Sequence, residues 1–153
     1  VHPLGPLFIP IRLRPAKARM IMGSIAVAGL LLFGGASRLN PPAAGYGAHE
    51  QLGLLPCGMP AIIGIPCPTC GMTTSLAHFA RADFGASFHT QPAGFCLSGL
   101  VAAAIVVSLY GVLAGRLWTI NFYRVRPMWA VMGLVGLLLF GWSYKICTWS
   151  LTP

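Results

Sequence analysis

Residues 93–114 read AGFCLSGLVAAAIVVSLYGVLA, a run of 22 residues without a charged side chain. A helix of about 20 apolar residues is long enough to cross the hydrocarbon core of a bilayer. The run therefore predicts a transmembrane helix over residues 93–115, which ends before Arg116. Small residues recur within it at four-residue spacing, which permits another helix to approach closely: Gly94, Ser98 and Ala102.

Two further apolar runs predict two more transmembrane helices. Residues 20–37 form an uncharged run of 18 residues with an arginine on either side, whose side chains extend the run by reaching toward water. A cleaved signal peptide is the alternative, but the preceding basic segment is long for one and the cleavage sequence GGAS at 34–37 is weak. Residues 127–149 predict the third helix, with Lys145 snorkelling to the interface.

These three runs predict an all-α membrane protein with three transmembrane helices and a cysteine-rich extramembrane cap that contains short helices. The composition agrees, since 56% of the 153 residues are hydrophobic and only 8% are charged, against about 25% charged residues in soluble domains. The formal charge of +8 would indicate a nucleic-acid partner in a soluble protein. Here the basic residues flank apolar runs, so we expect contact with anionic lipid and no nucleic acid.

The positions of Lys and Arg predict the orientation in the membrane. Seven of them lie in the N-terminal arm, residues 1–19, and in the loop 116–126, whereas the rest of the chain holds three. Because cytoplasmic segments carry the excess of Lys and Arg, we expect this arm and this loop in the cytoplasm. The loop 38–92 and the tail 150–153 then face outward, which in a bacterial inner membrane is the periplasm.

The outward loop contains the sequence CGMPAIIGIPCPTC at residues 57–70, with three cysteines among prolines. The predicted topology also brings the other two cysteines to the same membrane face. The candidate site therefore consists of all five cysteines: Cys57, Cys67, Cys70, Cys96 and Cys147.

Three roles for these sulfurs remain open. Structural disulfides are expected for cysteines in an oxidising compartment, although an odd number leaves one over. Zinc is the second possibility, since Cys67 and Cys70 have the usual ligand spacing, Cys57 supplies a third thiolate, and Cys96, Cys147 or a histidine completes the set. An iron–sulfur cluster would use the same ligands but is disfavoured in an oxidising space, and a c-type haem would need histidine after the second cysteine, where Gly71 stands.

Thiol–disulfide exchange is the third role. The sequence Cys-Pro-Thr-Cys ahead of a predicted helix resembles a glutaredoxin active site, where a helix N-terminus lowers the pKa of a thiol. The βαβ unit that normally carries such a motif is missing from this chain. No Ser/His/Asp set, paired carboxylates or phosphate-binding glycine loop is present, and the sequence holds only two acidic residues. The sequence therefore predicts no catalytic residues.

Local signals predict short helices within the outward loop. Apolar residues share one face over residues 72–80, where Thr73, Thr74 or Ser75 is available as the cap. Asp83 is a good N-cap for a second short helix, and Pro92 suits the first turn of the following span.

The cysteine region resembles a family of small bacterial membrane proteins known as a domain of unknown function. The family pattern is a cysteine, a short apolar stretch, Cys-Pro-x-Cys-Gly-x-Thr-Arg, then Gly-Asp-Phe, then Asn-Pro at the start of a membrane helix. The chain matches it over roughly residues 55–115 through its cysteines and four further positions, for which the resemblance implies structural roles: Gly71, Thr73, Asp83 and Pro92. The chain departs from it in having Thr74 for the arginine, Ala82 for the glycine and Gln91 for the asparagine. The resemblance implies a small polytopic protein with a structured cysteine loop and supplies no reaction.

Two functions follow from these features. The first is a non-catalytic accessory or scaffold subunit that packs its membrane helices against other membrane protein subunits. The second is a metal-binding or thiol-redox membrane protein that works through Cys57, Cys67 and Cys70.

Overall fold

The computed structural model describes residues 8–11, 15–115, 117–120 and 127–149. Three long helices are joined by shorter elements, in the order β1 (Phe8–Ile11), α1 (Pro15–Arg38), a 3₁₀ helix (Ala48–Leu52), α2 (Gly58–Ile63), α3 (Met72–Ala80), α4 (Phe84–Thr90), α5 (Pro92–Ala114), β2 (Leu117–Ile120) and α6 (Pro127–Trp149). The prediction of a helical membrane protein with three spans is confirmed, since α1, α5 and α6 are each long and apolar enough to cross a membrane. Their exposed apolar side chains suit a lipid bilayer environment.

Two features near the N-terminus differ from the sequence prediction. Helix α1 begins at Pro15 rather than Met20, because proline fits the first turn of a helix, where its missing N–H has no intrahelical partner. Strand β1 pairs antiparallel with β2, with Phe8 opposite Ile120 and Ile11 opposite Leu117. This short ladder joins the predicted N-terminal arm to the predicted loop 116–126, a pairing that the sequence analysis did not anticipate. The tail 150–153 lies outside the described residues.

The described chain forms two compact units, the first made of Val1–Leu31 and Val101–Leu134. Within it α1 packs against α5 through glycine. A Cβ atom at Gly29 would lie 2.5 Å from Cγ1 of Ile105, a distance that no real side chain tolerates. The missing side chain therefore lets the two helices approach closely, as small residues do in membrane helix pairs.

The second unit contains Leu32–Leu100 and Val135–Pro153, and therefore all five cysteines. Its centre is the helical hairpin of α3 and α4. The buried Ser75 hydroxyl lies 2.9 Å from the Ser87 carbonyl oxygen and 3.0 Å from the Ser87 hydroxyl. The Ser87 hydroxyl in turn donates to the Ser75 carbonyl at 2.8 Å. The predicted extent of α3 is confirmed, but the predicted cap is wrong: the N-cap is Gly71, and no side chain caps the helix.

Aromatic and cationic contacts attach this hairpin to the long helices. The Phe79 ring lies 5.8 Å from the Phe33 ring of α1 and 5.5 Å from the Phe95 ring of α5. Arg81 donates from Nε to the Ser37 carbonyl and from Nη2 to the Leu39 carbonyl. These carbonyls lie at the C-terminal end of α1, where the helix itself leaves such groups without partners. Arg81 therefore caps α1.

Candidate functional site

A short helix and a glycine turn bring two cysteines together. Cys57 is the N-cap of α2, and the helix ends at Gly64, which has a left-handed φ of 73° and donates its N–H to the Pro60 carbonyl. A glycine in the left-handed conformation commonly ends a helix, and the chain changes direction after it. Cys67 consequently meets Cys57, with their Sγ atoms 3.4 Å apart.

The third cysteine follows in a tight turn that leads into α3. The Cys70 N–H donates to the Cys67 carbonyl at 2.9 Å, and the Met72 N–H donates to the Thr69 carbonyl at 3.1 Å. Gly71 completes the turn with a φ of 86°. The turn leaves Cys70 only 5% exposed, while Cys57 and Cys67 are partly exposed.

The surroundings of the three thiols give them different acidities. Desolvation raises the pKa of Cys67, but hydrogen bonds from the Thr69 hydroxyl and the Cys57 thiol outweigh it, so the pKa is lowered. The Cys57 thiol donates that bond, and for this reason, with some desolvation, its own pKa is raised. Burial, with the neighbouring charges of Cys67 and Cys57, raises the pKa of Cys70 to about 11. Cys67 is therefore the thiol that ionises first.

Side chains from two other elements hold the prolines of this loop. Trp142 of α6 donates its indole N–H to the Pro66 carbonyl at 2.8 Å. Gln91, which is fully buried ahead of α5, donates from Nε2 to the Pro68 carbonyl at 3.2 Å. Because Pro66 and Pro68 flank Cys67, these two bonds fix the backbone around the most acidic thiol.

The three sulfurs line a cleft of about 320 Å³. His49 and the first turn of α3 line it too, including Thr73 and Thr74. Thr74 is fully buried, and its hydroxyl meets no hydrogen-bond partner in the described part of the chain. The cleft therefore combines a thiol of lowered pKa with a hydroxyl that has no partner among the described residues.

The other predicted site residues lie outside this cleft. Cys96 and Cys147 are exposed on α5 and α6 and are not among its lining residues. Asp83 caps α4, since its Oδ1 accepts from the Ala86 N–H at 3.1 Å, and its other oxygen lies 3.5 Å from His78 Nδ1. Pro92 is the first residue of α5. Asp83 therefore belongs to the hairpin and Pro92 to the following span, and neither lines the cleft.

Neither a disulfide nor a metal-binding arrangement is formed. All five cysteines are among the described residues, and no two of them are bonded. In the described ranges, no group of three His, Cys, Asp or Glu side chains has the arrangement that would hold a metal ion. Zinc binding therefore stays a prediction from the spacing.

Four residues that contact the site were not assigned to it from the sequence. Thr69 was visible inside the Cys-Pro-Thr-Cys motif, and Lys145 was visible as a single charge in an apolar run. The snorkelling predicted for Lys145 is wrong, because its side chain is buried with 6% of its surface exposed. Gln91 was noted only as a departure from the family pattern, and nothing in the sequence placed Gln91 or Trp142 beside the cysteines, since their partners are backbone carbonyls far away in the chain.

Comparison with known proteins gives one family for the cysteine region. Residues 57–105 match the model of a family described as a protein of unknown function, DUF2752. The matched range contains the three cleft cysteines, α3, α4 and the first half of α5. No curated protein matches the chain, and no solved structure matches it either.

Proposed function

We propose that this membrane protein carries out thiol–disulfide exchange through Cys57 and Cys67, with Cys67 as the nucleophile. The contact between the two sulfurs carries the proposal. At 3.4 Å they are in hydrogen-bond contact, so a modest movement brings them to the roughly 2.05 Å of a disulfide. The lowered pKa of Cys67 supports its role, because the thiolate is the reactive form.

The exchange proceeds in two steps. The Cys67 thiolate attacks one sulfur of a disulfide in a partner protein, which forms a mixed disulfide and releases the partner's other sulfur as a thiolate. Cys57 then loses its proton and attacks the Cys67 sulfur. This forms the Cys57–Cys67 disulfide and releases the second partner sulfur, so that the partner is reduced by two electrons and takes up the two protons.

Cys70 takes no part in these steps near neutral pH. Its burial and its pKa of about 11 keep it protonated, so it is a poor nucleophile. The proposed disulfide therefore joins Cys67 to Cys57, and not to Cys70 as in the disulfide of a Cys-x-x-Cys motif.

An oxidising compartment would suit this chemistry. The charge distribution supports an orientation with the N-terminus in the cytoplasm and with the cysteine loop and the C-terminus outside, which in a bacterial inner membrane is the periplasm. Labelling of intact cells with a membrane-impermeant thiol reagent tests this orientation. Reaction at Cys67 without permeabilisation is expected, and reaction only after permeabilisation would contradict it.

The test of function is equilibration of the purified protein in glutathione redox buffers, followed by alkylation and peptide mapping. We expect a reversible disulfide between Cys57 and Cys67, which is lost in the Cys57→Ser and Cys67→Ser variants. Cys96→Ser is the matched control, because Cys96 is exposed and away from the cleft, and it should leave the equilibrium unchanged.

Two outcomes would refute the proposal. One is a preparation in which Cys57 and Cys67 stay unpaired under every redox buffer. The other is a stoichiometric zinc content, measured by elemental analysis, that protects both thiols from alkylation until a chelator is added. The second outcome would establish the zinc site predicted from the spacing.

The accessory-subunit role stays a second candidate, and one observation favours it. Outside the three long helices, the segment 52–65 exposes large apolar side chains, with Leu55 at 87% and Ile62 at 84%. Surfaces of this kind often contact other proteins or lipid. Blue-native electrophoresis of extracts in mild detergent tests the role, since migration of the whole population as a free monomer would contradict it.

A further inference from the structure

Lys145 of α6 is a buried cation with one unused donor. Its Nζ donates to the Gly45 carbonyl at 3.1 Å and to the Thr90 carbonyl at 3.3 Å. An ammonium group carries three N–H donors, so one N–H has no acceptor among the described residues. Lys145 is 6% exposed, so the ammonium group is largely removed from bulk water.

Among the described residues, the charge of Lys145 also has no carboxylate partner. The protein has two acidic side chains, Glu50 and Asp83, and the ion pair found among the described residues joins Asp83 to His78. The ionisable neighbour of Lys145 is the Cys70 thiol, whose pKa of about 11 leaves it uncharged near neutral pH. A buried charge without a partner is costly because it has lost its hydration, so an anion at this position would stabilise the fold.

A second cleft, of about 280 Å³, opens beside Lys145. It is separate from the thiol cleft and is lined by α4 and the end of α6, with His89, Ala86 and Trp149 among its walls. The Trp149 ring lies 4.7 Å from the Tyr46 ring. Tryptophan and tyrosine at the end of a membrane helix are typical of the lipid headgroup level, so we expect the cleft at the depth where phosphate groups are found.

We propose that this cleft binds a phosphate group, with the free N–H of Lys145 as its buried donor. A phosphate oxygen would accept the third hydrogen bond of the ammonium group and balance its charge. His89 provides a second donor in the wall of the same cleft. The group is carried by a phospholipid or is free phosphate, and the test distinguishes these sources.

The test is native mass spectrometry of the full chain in mild detergent, with three probes: phosphatidylglycerol, diacylglycerol with the same acyl chains, and inorganic phosphate. We expect a bound adduct with phosphatidylglycerol and none with diacylglycerol. Lys145→Met should weaken the adduct about tenfold, the ratio expected when one hydrogen bond to a charged group is lost.

A second variant keeps the test valid if Lys145→Met does not fold. Ala86→Leu fills the cleft and leaves the hydrogen bonds of Lys145 in place, so it should also weaken the adduct. Gly85→Leu is its matched control: Gly85 is the preceding residue on α4, nothing lies within 4 Å of a Cβ built there, and it does not line the cleft.

The three probes distinguish a lipid site from a free-phosphate site. Binding of inorganic phosphate without phosphatidylglycerol supports a free-phosphate site, and binding of phosphatidylglycerol supports a lipid site. Equal retention of phosphatidylglycerol and diacylglycerol would overturn the proposal. So would an adduct that both Lys145→Met and Ala86→Leu leave unchanged. None of these results depends on the thiol chemistry of the other cleft.

Discussion

Replacement of Gly71 by alanine should destabilise the protein through two effects that the structure separates. Gly71 has a φ of 86°, a left-handed conformation that costs a residue with a Cβ about 1–2 kcal/mol. In addition, a Cβ at this position would lie 2.7 Å from the Gly45 carbonyl oxygen. This oxygen belongs to the backbone and accepts a hydrogen bond from Lys145 at 3.1 Å, so it cannot move without disturbing the buried ammonium group.

The magnitude follows from adding these effects. Overpacking of this kind typically costs about 1–3 kcal/mol, so the free energy of unfolding should fall by about 2–5 kcal/mol in total. Gly64→Ala is the matched control. Gly64 has a similar φ of 73°, but nothing lies within 4 Å of a Cβ built there. It should lose the conformational part alone, about 1–2 kcal/mol.

The assay is thermal unfolding in mild detergent, followed by the helical circular dichroism signal. For a chain of this size, 1 kcal/mol corresponds to a shift of roughly 2–4 °C in the melting temperature. Gly71→Ala should therefore melt several degrees below Gly64→Ala, and alkylation of the buried Cys70 should become faster in the same order. If the two variants melt at the same temperature, the contact between Gly71 and Gly45 does not restrain this turn.

Three further predictions test the thiol site and the hairpin beside it. Alkylation of Cys67 by iodoacetamide should persist to a lower pH than alkylation of an ordinary thiol, because the lowered pKa of Cys67 keeps its thiolate populated as the pH falls. Peptide mass spectrometry measures the pH midpoint of this reaction. A midpoint at or above that of a model thiol would contradict the prediction. Ser75→Ala should lower the free energy of unfolding by about 1–3 kcal/mol, measured by thermal unfolding, because it leaves buried hydrogen-bond partners unsatisfied. Thr74→Val should lower it little, because the Thr74 hydroxyl has no partner in the described chain. Equal losses in the two variants would refute the reasoning. Asp83→Ala should lower the free energy of unfolding by about 1 kcal/mol, because the Ala86 N–H loses its acceptor. An unchanged melting temperature would show that this cap does not stabilise α4.

The long helices could be predicted from the sequence because spanning a bilayer imposes a simple length and polarity requirement on a continuous run. The extent of α3 was equally visible, since its apolar residues repeat on one face. Its cap was not: threonine and serine are usual caps, but Gly71 occupies the position and Ser75 bonds within the hairpin instead. The Ser75 hydroxyl therefore bonds to Ser87 of α4 rather than to the first turn of its own helix.

The contact between the Cys57 and Cys67 sulfurs could not be predicted, because it depends on where a short helix ends. The Cys-x-x-Cys spacing indicated Cys67 and Cys70 as the interacting pair. The left-handed Gly64 turn brings Cys57 to Cys67, and the backbone direction after such a turn is not encoded in composition or periodicity. For the same reason the burial of Lys145 was missed, since its two carbonyl partners come from separate segments.

The hydrogen bond from Trp142 to the Pro66 carbonyl connects the Cys67 segment mechanically to a membrane helix. A spanning helix tilts when the hydrocarbon layer becomes thinner than its apolar length, and α6 carries its indole with it. Since Pro66 is bonded covalently to Cys67, such a tilt would pull on the backbone of Cys67. Bilayer thickness is thus a physical variable to which the geometry of the sulfur pair is coupled.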